Sequence, residues 1–164
     1  MKLVGALCLG LLLLCPAVNA ETLKGRVTYV YDGDTLKIEG VGKVRLLGID
    51  TPEREDSTRD DYYTRRYGIK RATLRRIAEE AHRYTLENSL NRRVELELDR
   101  EAVDKYDRVL AYLYLPDGRM LNRQLLEEGL ASVYRRFEFR EKRNFLQSEK
   151  SARGKNRGLW QKTP

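Results

Sequence analysis

The sequence predicts an α+β domain in which strands predominate, with five strands and about three helices. Three features of the 164-residue chain lead to this prediction. Runs of β-branched and aromatic residues between turn residues indicate strands. An apolar stripe of helical period follows the third strand, and two further helical patterns lie near the carboxyl terminus. A chain of this length can bury one core, so we expect a single domain.

The first three predicted strands form a meander over residues 23–50. Val27 to Tyr31 has the β-branched and aromatic composition of a strand, and the turn Asp32-Gly33-Asp34 ends it. Leu36 to Glu39 alternates apolar and polar residues, which is typical of a half-buried strand. After a short turn that contains glycine, Val44 to Ile49 makes the third strand.

The middle of the chain contains one helix and one strand between polar segments. Pro52 to Arg66 has no apolar period, so we expect a loop there. The pattern becomes helical from Tyr67 or Gly68 to about Ser89, where apolar residues form a stripe among arginines and glutamates. Val94 to Leu98 alternates as a strand does, and Glu101 to Arg108 follows as a charged loop.

The last third of the chain contains the fifth strand and two helices. Val109 to Leu115 is the strand, and the turn Pro116-Asp117-Gly118 closes it. Asn122 to Glu128 predicts a short helix that Gly129 stops, and a final helix runs from Arg140 to Ala152. An antiparallel five-stranded order with a helix before strand four fits an OB-type barrel. Other small α+β folds fit this pattern nearly as well.

The first twenty residues differ from the rest and predict a cleaved signal peptide. Lys2 is a short positive region, Val4 to Leu14 is an apolar run, and Val18-Asn19-Ala20 supplies the small residues of a cleavage site. The apolar run is too short to cross a hydrocarbon core of about 30 Å. We therefore expect a secreted or periplasmic protein whose single domain covers residues 21–164.

Composition excludes several kinds of site. Cys8 and Cys15 both lie in the predicted signal peptide, so the mature chain has no disulfide and no thiolate metal site. His82 is the only histidine, which rules out zinc sites built from histidine and cysteine. The net charge of +7 indicates an anionic partner, which charge alone leaves as nucleic acid, anionic lipid or an acidic polymer.

Three carboxylates in the turns after the first and third strands are candidates for a metal site or for base catalysis. Asp34 precedes the second strand, while Asp50 and Glu53 follow the third. Antiparallel pairing would bring the two strand ends side by side, so that Asp34 and Asp50 reach one ion. Oxygen ligands without histidine or cysteine favour a hard cation such as Ca²⁺, Mg²⁺ or Mn²⁺. Taken alone, an Asp-Gly-Asp segment is more often simply a turn.

Arg45 is an arginine in a strand whose neighbours are apolar, so it requires an anionic partner or a solvent-open face. One interpretation is a structural ion pair with Glu39 or Asp50. The other is a bidentate contact with a phosphate group. A second basic and aromatic cluster lies in the loop before the fifth strand: Lys105, Tyr106 and Arg108.

Three segments of the chain resemble the signature motifs of the staphylococcal nuclease (thermonuclease) family: Asp32 to Thr35, Arg45 to Glu53, and Asp104 to Arg108. The similarity continues in order through four more segments: 110–114, 118–122, 128–131 and 158–160. It covers nearly all of the predicted mature chain. The resemblance implies an OB-fold barrel and an enzyme that hydrolyses DNA and RNA with Ca²⁺, leaving 3′-phosphate ends.

The resemblance also implies a role for each matching residue. Asp34 and Asp50 would bind one Ca²⁺ through their carboxylates, and Thr51 would bind it through its backbone carbonyl. Glu53 would act as the general base on the attacking water.

The basic residues of the motifs would contact the substrate. Arg45 and Arg108 would hold the scissile phosphate and stabilise a phosphorane-like transition state. Lys105 and Tyr106 would contact a neighbouring phosphate or nucleotide. A preorganised site of this kind, with a divalent cation and two guanidinium groups, suits a reaction that adds negative charge to a phosphodiester.

The sequence departs from the family pattern at four places, the first being the turn Gly40 to Lys43, which is shorter than usual. Asp107 stands where the second motif has glycine, and we expect its carboxylate to lie beside Arg108 and weaken that arginine's hold on phosphate. The stretch 54–76 is longer than in the type enzyme. Arg135 falls where the family has an aromatic residue that stacks on the nucleotide, with Tyr134 one place before it.

The sequence therefore favours a monomeric, secreted, Ca²⁺-dependent endonuclease acting on DNA and RNA. One alternative is a catalytically weak OB-fold module that binds nucleic acid, although a pure binder has no need of carboxylates facing a polyanion. A second alternative is a Ca²⁺-binding structural protein of the cell envelope, which the arginines beside the carboxylates argue against.

Overall fold

A computed structural model describes residues 22–161, so the predicted signal segment lies outside the described residues. Within this described part, seven strands occur in chain order: β1 (Thr22–Val30), β2 (Thr35–Ile38), β3 (Gly42–Leu46), β4 (Ile49–Asp50), β5 (Arg93–Val103), β6 (Val109–Tyr114) and β7 (Ser132–Val133). Five of them close a barrel in the order β1-β2-β3-β6-β5. The predicted five-stranded barrel is confirmed.

One pairing in the barrel contradicts the expectation of an antiparallel sheet. Strands β3 and β6 run parallel, with Val44 opposite Val109, whereas every other barrel pairing is antiparallel. The reason is topological, because a closed ring with an odd number of strands cannot alternate direction at every step. Asn122 reinforces the parallel pair, since its buried side-chain amide donates to the carbonyls of Leu47 and Ala111.

The predicted third strand is interrupted before its end. The backbone leaves β3 at Leu47 and turns at Gly48, which has a φ of 80°. The ring of Phe139 lies so close that a Cβ atom at this glycine would be 2.6 Å from Cε2. The chain then forms β4, which pairs with β7 in a separate two-stranded sheet. The sequence analysis expected the pairing of neighbouring strands to bring Asp34 and Asp50 together. That route was wrong, because Asp50 lies in β4, outside the barrel sheet.

Four α-helices surround the barrel: α1 (Thr58–Tyr67), α2 (Arg71–Ser89), α3 (Leu121–Glu127) and α4 (Lys142–Gly154). A short 3₁₀ helix, Gly158–Trp160, follows them. The three predicted helices correspond to α2, α3 and α4 and are confirmed. No helix of residues 22–161 is long and apolar enough to cross a membrane.

Helix α1 lies where the sequence analysis expected a loop, so that expectation was wrong. The helix has few apolar residues, and local signals define its ends. Ser57 and Asp60 form a capping box at the amino-terminal end, and Gly68 ends the helix in the left-handed conformation with a φ of 69°. Acidic residues in the first turn and basic residues in the last turn also suit the helix dipole.

Helix α2 packs against the barrel and fixes the turn between β1 and β2. Thr85 Oγ1 donates to the carbonyl of Gly33 at 2.7 Å. A Cβ atom at Gly33 would lie 2.7 Å from Cβ of Ala81 and 2.8 Å from Cγ2 of Thr51. Only glycine therefore lets the turn fit between α2 and the chain segment after β4. His82 is half-buried on α2.

Candidate active site

Asp34 lies in the turn between β1 and β2 and is almost fully buried, with 1% of its surface exposed. Asp32 shapes this turn, because its Oδ1 accepts the backbone N–H of Asp34 at 2.9 Å. Three donors reach the Asp34 carboxylate: Arg45 Nη1 at 2.6 Å, Thr35 Oγ1 at 3.0 Å and the Thr51 N–H at 2.9 Å. A buried carboxylate is costly without such donors, so the turn depends on Arg45 and Thr51.

Asp50 ends β4 and contacts the same guanidinium as Asp34. Arg45 Nη2 donates to Asp50 Oδ1 at 3.0 Å, so Arg45 bridges the two carboxylates. The pairing of Arg45 with Asp50 that the sequence suggested is confirmed, and no ion pair joins Arg45 to Glu39 within residues 22–161. Strand β3 brings Arg45 to this position, since Thr35 of β2 is its register partner.

Helix α1 holds the other oxygen of Asp50. Arg59 donates to Asp50 Oδ2 through Nε at 3.1 Å and Nη2 at 2.5 Å, and the Tyr63 hydroxyl contacts the same oxygen at 3.0 Å. Tyr63 is fully buried and also lies 3.1 Å from Ser132 Oγ of β7. Burial, and then the charge of Asp50, raise the pKa of Tyr63 well above its usual value, so the phenol stays protonated.

Sequence reasoning missed both Arg59 and Tyr63. They lie in the stretch that has no clear correspondence to the family motifs. A signal was available, because the capping residues Ser57 and Asp60 define the start of a helix. Residues four apart on a helix share one face, so Arg59 and Tyr63 would then have been placed together.

An open cleft of about 810 Å³ collects most of the predicted site residues. Its lining includes the following of them: Arg45, Asp50, Glu53, Lys105, Tyr106 and Arg108. Asp34 and Thr51 do not line the cleft, since they are buried against Arg45 and Asp50. The cleft therefore unites residues from β3, from the segment after β4 and from the loop between β5 and β6.

Arg108 is held by Asp104, which the sequence analysis did not assign. Nε and Nη2 of Arg108 contact Asp104 Oδ2 at 2.8 and 2.7 Å. Asp107, which we expected to weaken the hold of Arg108 on phosphate, forms no ion pair with Arg108 in the described part of the chain. Asp107 is exposed and adopts a φ of 59°, the left-handed conformation that glycine favours. Tyr106 is 66% exposed, and Arg108 lies over its ring.

The aromatic residue that appeared displaced in the sequence does reach the cleft. Tyr134 lines it, and its ring centroid is 5.1 Å from that of Phe137, which lines it too. Arg135 instead contacts Glu149 at 3.1 Å and takes no part in the lining. The shift of one position therefore leaves aromatic surface in the cleft.

Burial and neighbouring carboxylates raise the pKa of two carboxyl groups near the buried acids. Burial, and then the charge of Asp34, raise the pKa of Asp32 to about 7. Burial also raises the pKa of Glu53, with the charges of Asp34 and Asp50 adding to it. Burial lowers the pKa of Arg45, but the charges of Asp34 and Asp50 outweigh burial and raise it overall. A cation beside Asp34 and Asp50 would oppose the charges that raise these carboxyl pKa values.

The closed barrel, with a cleft lined by carboxylates and guanidinium groups, defines an OB-fold protein with a charged site on one side of the barrel. Comparison with known families narrows this class. The sequence profile described as staphylococcal nuclease homologue matches residues 43–162. The chain belongs to the staphylococcal nuclease family.

Relatives with assigned names agree with this membership. Thermonuclease of Staphylococcus intermedius is 36% identical over 141 residues, which cover 83% of this chain and 75% of the relative. Thermonuclease of Staphylococcus hyicus is 31% identical over 146 residues, 87% of this chain and 78% of the relative. Endonuclease YncB of Bacillus subtilis strain 168 is 33% identical over 138 residues, 80% of this chain and 59% of the relative.

The raised pKa of Asp32 predicts how stability changes in an Asp32→Asn variant. The folded-state pKa of Asp32, about 7, exceeds the model-compound value of 3.8. The folded protein thus holds this proton more tightly, and stability is lost as the pH rises through about 7. Asparagine keeps the oxygen that accepts the Asp34 N–H and has no proton to lose. In a chelating buffer we expect a higher melting temperature than wild type at pH 8 and no gain at pH 4.

Asp117→Asn is the matched control for this thermal unfolding experiment. Asp117 also accepts the N–H of the residue two places on, Arg119, at 3.1 Å, but it lies in an exposed turn. Hydrogen bonds from Arg119 lower the pKa of Asp117, so its replacement brings no stabilisation at pH 8. An equal gain in the melting temperature of Asp32→Asn at pH 4 and pH 8 would contradict a raised pKa of Asp32 in the folded protein.

Proposed function

We propose that this chain is a Ca²⁺-dependent endonuclease that hydrolyses phosphodiester bonds of DNA and RNA and leaves 3′-phosphate ends. Membership of a family with relatives named thermonuclease and endonuclease makes it a phosphodiester hydrolase. The observation that carries the finer proposal is the bridge from Arg45 to Asp34 and Asp50, at 2.6 and 3.0 Å. It joins the buried acids to the cleft that Glu53 and Arg108 also line.

The carboxylate oxygens that Arg45 bridges suit a hard cation. Asp34 and Asp50 contact the same guanidinium, which supports the proposal that their carboxylates share one ion. All the proposed metal ligands are oxygen atoms, and the backbone carbonyl of Thr51 would be the third ligand. Within residues 22–161 no group of three or more acidic, histidine or cysteine side chains forms a cage. When bound, Ca²⁺ supplies positive charge that stabilises the charge growing on the phosphate.

Glu53 is the residue we assign as general base. It lies at the cleft surface, where water and substrate can both reach it. Its ionised carboxylate accepts a proton from the attacking water as that oxygen bonds to phosphorus. The bond from phosphorus to the 5′-oxygen breaks, and the 5′-oxygen takes up a proton from solvent in the open cleft. The raised pKa of Glu53 makes its ionised carboxylate a stronger base.

The two arginines of the motifs hold the phosphate in this proposal. Asp104 occupies Nε and Nη2 of Arg108, which leaves Nη1 for a phosphate oxygen. Arg45 lies between the buried carboxylates and the cleft, so it links the acids to the scissile group. Lys105 and Tyr106 are exposed at the rim and suit contact with a neighbouring phosphate or nucleotide.

Cleavage of plasmid DNA tests the proposal. We expect wild-type protein to cut DNA and RNA with CaCl₂ and to stop when EDTA is added. Glu53→Gln keeps the size of the side chain but removes the base, so we expect kcat to fall by about 10² to 10⁴, while a filter-binding assay shows unchanged DNA affinity.

Glu39→Gln is the control for this assay, because Glu39 is an exposed glutamate outside the cleft. Its activity should equal that of wild type. Retention of DNA without cleavage by wild-type protein would support a binding module instead. Absence of both binding and cleavage would support a structural role.

The hold of α1 on Asp50 predicts weaker Ca²⁺ binding in Tyr63→Phe. Removing the hydroxyl changes no charge and frees Asp50 Oδ2 from one of its donors. Loss of a group that orients a metal-binding side chain typically costs about 10- to 100-fold in affinity. We expect the CaCl₂ concentration that half-saturates the rise in melting temperature to increase by about that factor.

Tyr114→Phe is the control in the same titration. It also removes a bond from a phenol to a carboxylate, Tyr114 to Glu97 at 3.0 Å, and neither residue lines the cleft. Equal Ca²⁺ titrations for the two variants would show that Tyr63 does not orient Asp50.

We also propose that the protein is exported and acts as a monomer, from the composition of residues 1–20 and from the family resemblance. Cleavage after Ala20 would leave a mature chain that begins at Glu21. Expression of the full sequence in a bacterial host, followed by intact mass spectrometry of the exported fraction, tests this. We expect the mass of residues 21–164, and recovery of the full-length mass from the cytoplasm alone would refute export.

A further inference from the structure

We propose that α1 guides the nucleic-acid strand from the cleft to a second basic pocket at the carboxyl-terminal end of the helix. This inference rests on the proposed function, because it extends the surface on which the substrate binds. We call the residues concerned the α1 track: Arg59, Tyr62, Arg66 and Lys70. Helix α1 lies in the stretch that is longer than in the type enzyme.

Helix geometry places the track on one side of α1. Arg59, Tyr62 and Arg66 are spaced by three and four residues, which puts them on one helical face. Lys70 follows the left-handed turn at Gly68 and precedes the first residue of α2. Arg59 and Tyr62 line the cleft, whereas Arg66 and Lys70 line the second pocket. The track therefore connects the two depressions.

The acidic residues of α1 are engaged elsewhere and do not neutralise the track. Asp60 is 1% exposed and pairs with Arg71 and Arg75 of α2. Asp61 pairs with Arg71 at 2.9 Å and with Arg65 on its own helix at 3.7 Å. Arg66 and Lys70 are exposed and have no ion pair within residues 22–161.

The second pocket combines positive charge with aromatic surface. Its volume is about 730 Å³, and no aspartate or glutamate is among its lining residues. The guanidinium of Arg153 lies 4.6 Å from the ring centroid of Tyr67 and 3.9 Å from that of Trp160. Glu149 pairs with Arg153 but also with Arg135, so these three groups together remain positive.

This chemistry fits a single strand of nucleic acid. Non-specific binding of single strands uses cations that follow the phosphates and aromatic rings on which bases stack. Arg59 and Arg66 are seven residues apart, about 10 Å along the axis at 1.5 Å per residue. At the axial rise of a duplex, about 3.4 Å per nucleotide, that distance covers about three phosphates, and an extended single strand needs fewer. A strand of roughly six nucleotides centred on the cleft would therefore reach the pocket.

A double variant, Arg66→Gln with Lys70→Gln, tests the track in the full chain. It removes two positive charges and keeps side chains that favour helix. For a 20-nucleotide single strand we expect KM to rise about tenfold with kcat unchanged. The slope of the logarithm of affinity against the logarithm of salt concentration should fall by about 1.4, which corresponds to two lost phosphate contacts. For a trinucleotide, which is too short to leave the cleft, KM should stay at the wild-type value.

Arg83→Gln with Lys155→Gln is the matched control, since it removes the same charge from two exposed residues that line neither the cleft nor the second pocket. Its KM for the long strand should stay within about twofold of wild type. Equal KM values for the two double variants, or an equal rise in KM for the trinucleotide, would overturn the track. Failure of the proposed function is distinguishable, because wild-type protein would then cleave neither substrate.

Discussion

The bridge that Arg45 makes between Asp34 and Asp50 is the interaction on which the rest of the site depends. Each carboxylate is almost fully buried, and removal from water is costly unless charge and hydrogen bonds compensate it. One guanidinium meets this requirement for both acids, so it fixes the start of β2 against the end of β4. The barrel supplies the rigidity, because β3 holds Arg45 between two paired strands.

Helix α1 supplies contacts to Asp50 that the barrel does not provide. After Gly48 the chain departs from the barrel, and Asp50 is held from two directions. Arg45 binds one of its oxygens, while Arg59 and Tyr63 bind the other. The site is thus shared between a sheet that sets the positions of the backbone and a helix that sets the orientation of a side chain. Such support from surrounding groups is what gives a binding site its geometry.

The sequence predicted most of what is encoded locally. Strand alternation, the turn Asp32-Gly33-Asp34 and the motif residues of the cleft all follow from short stretches of sequence. The parallel pairing of β3 with β6 could not be predicted in this way, because closure is a property of the whole ring. Helix α1 was not predicted, because its residues are mostly polar and its stability depends on caps and ion pairs. Arg59 and Tyr63 were missed with it, since their roles require the helix first.

The capping of α1 has an evolutionary consequence. Ser57 and Asp60 define one end and Gly68 the other, so the folding signals of this helix are contained within its own segment. Within this segment, Arg59 and Tyr63 face Asp50, whereas Arg66 is exposed and has no ion pair within residues 22–161. A lineage can therefore alter how far its enzyme reaches along a polymer by changing the exposed residues of α1, while the inward residues keep Asp50 in place.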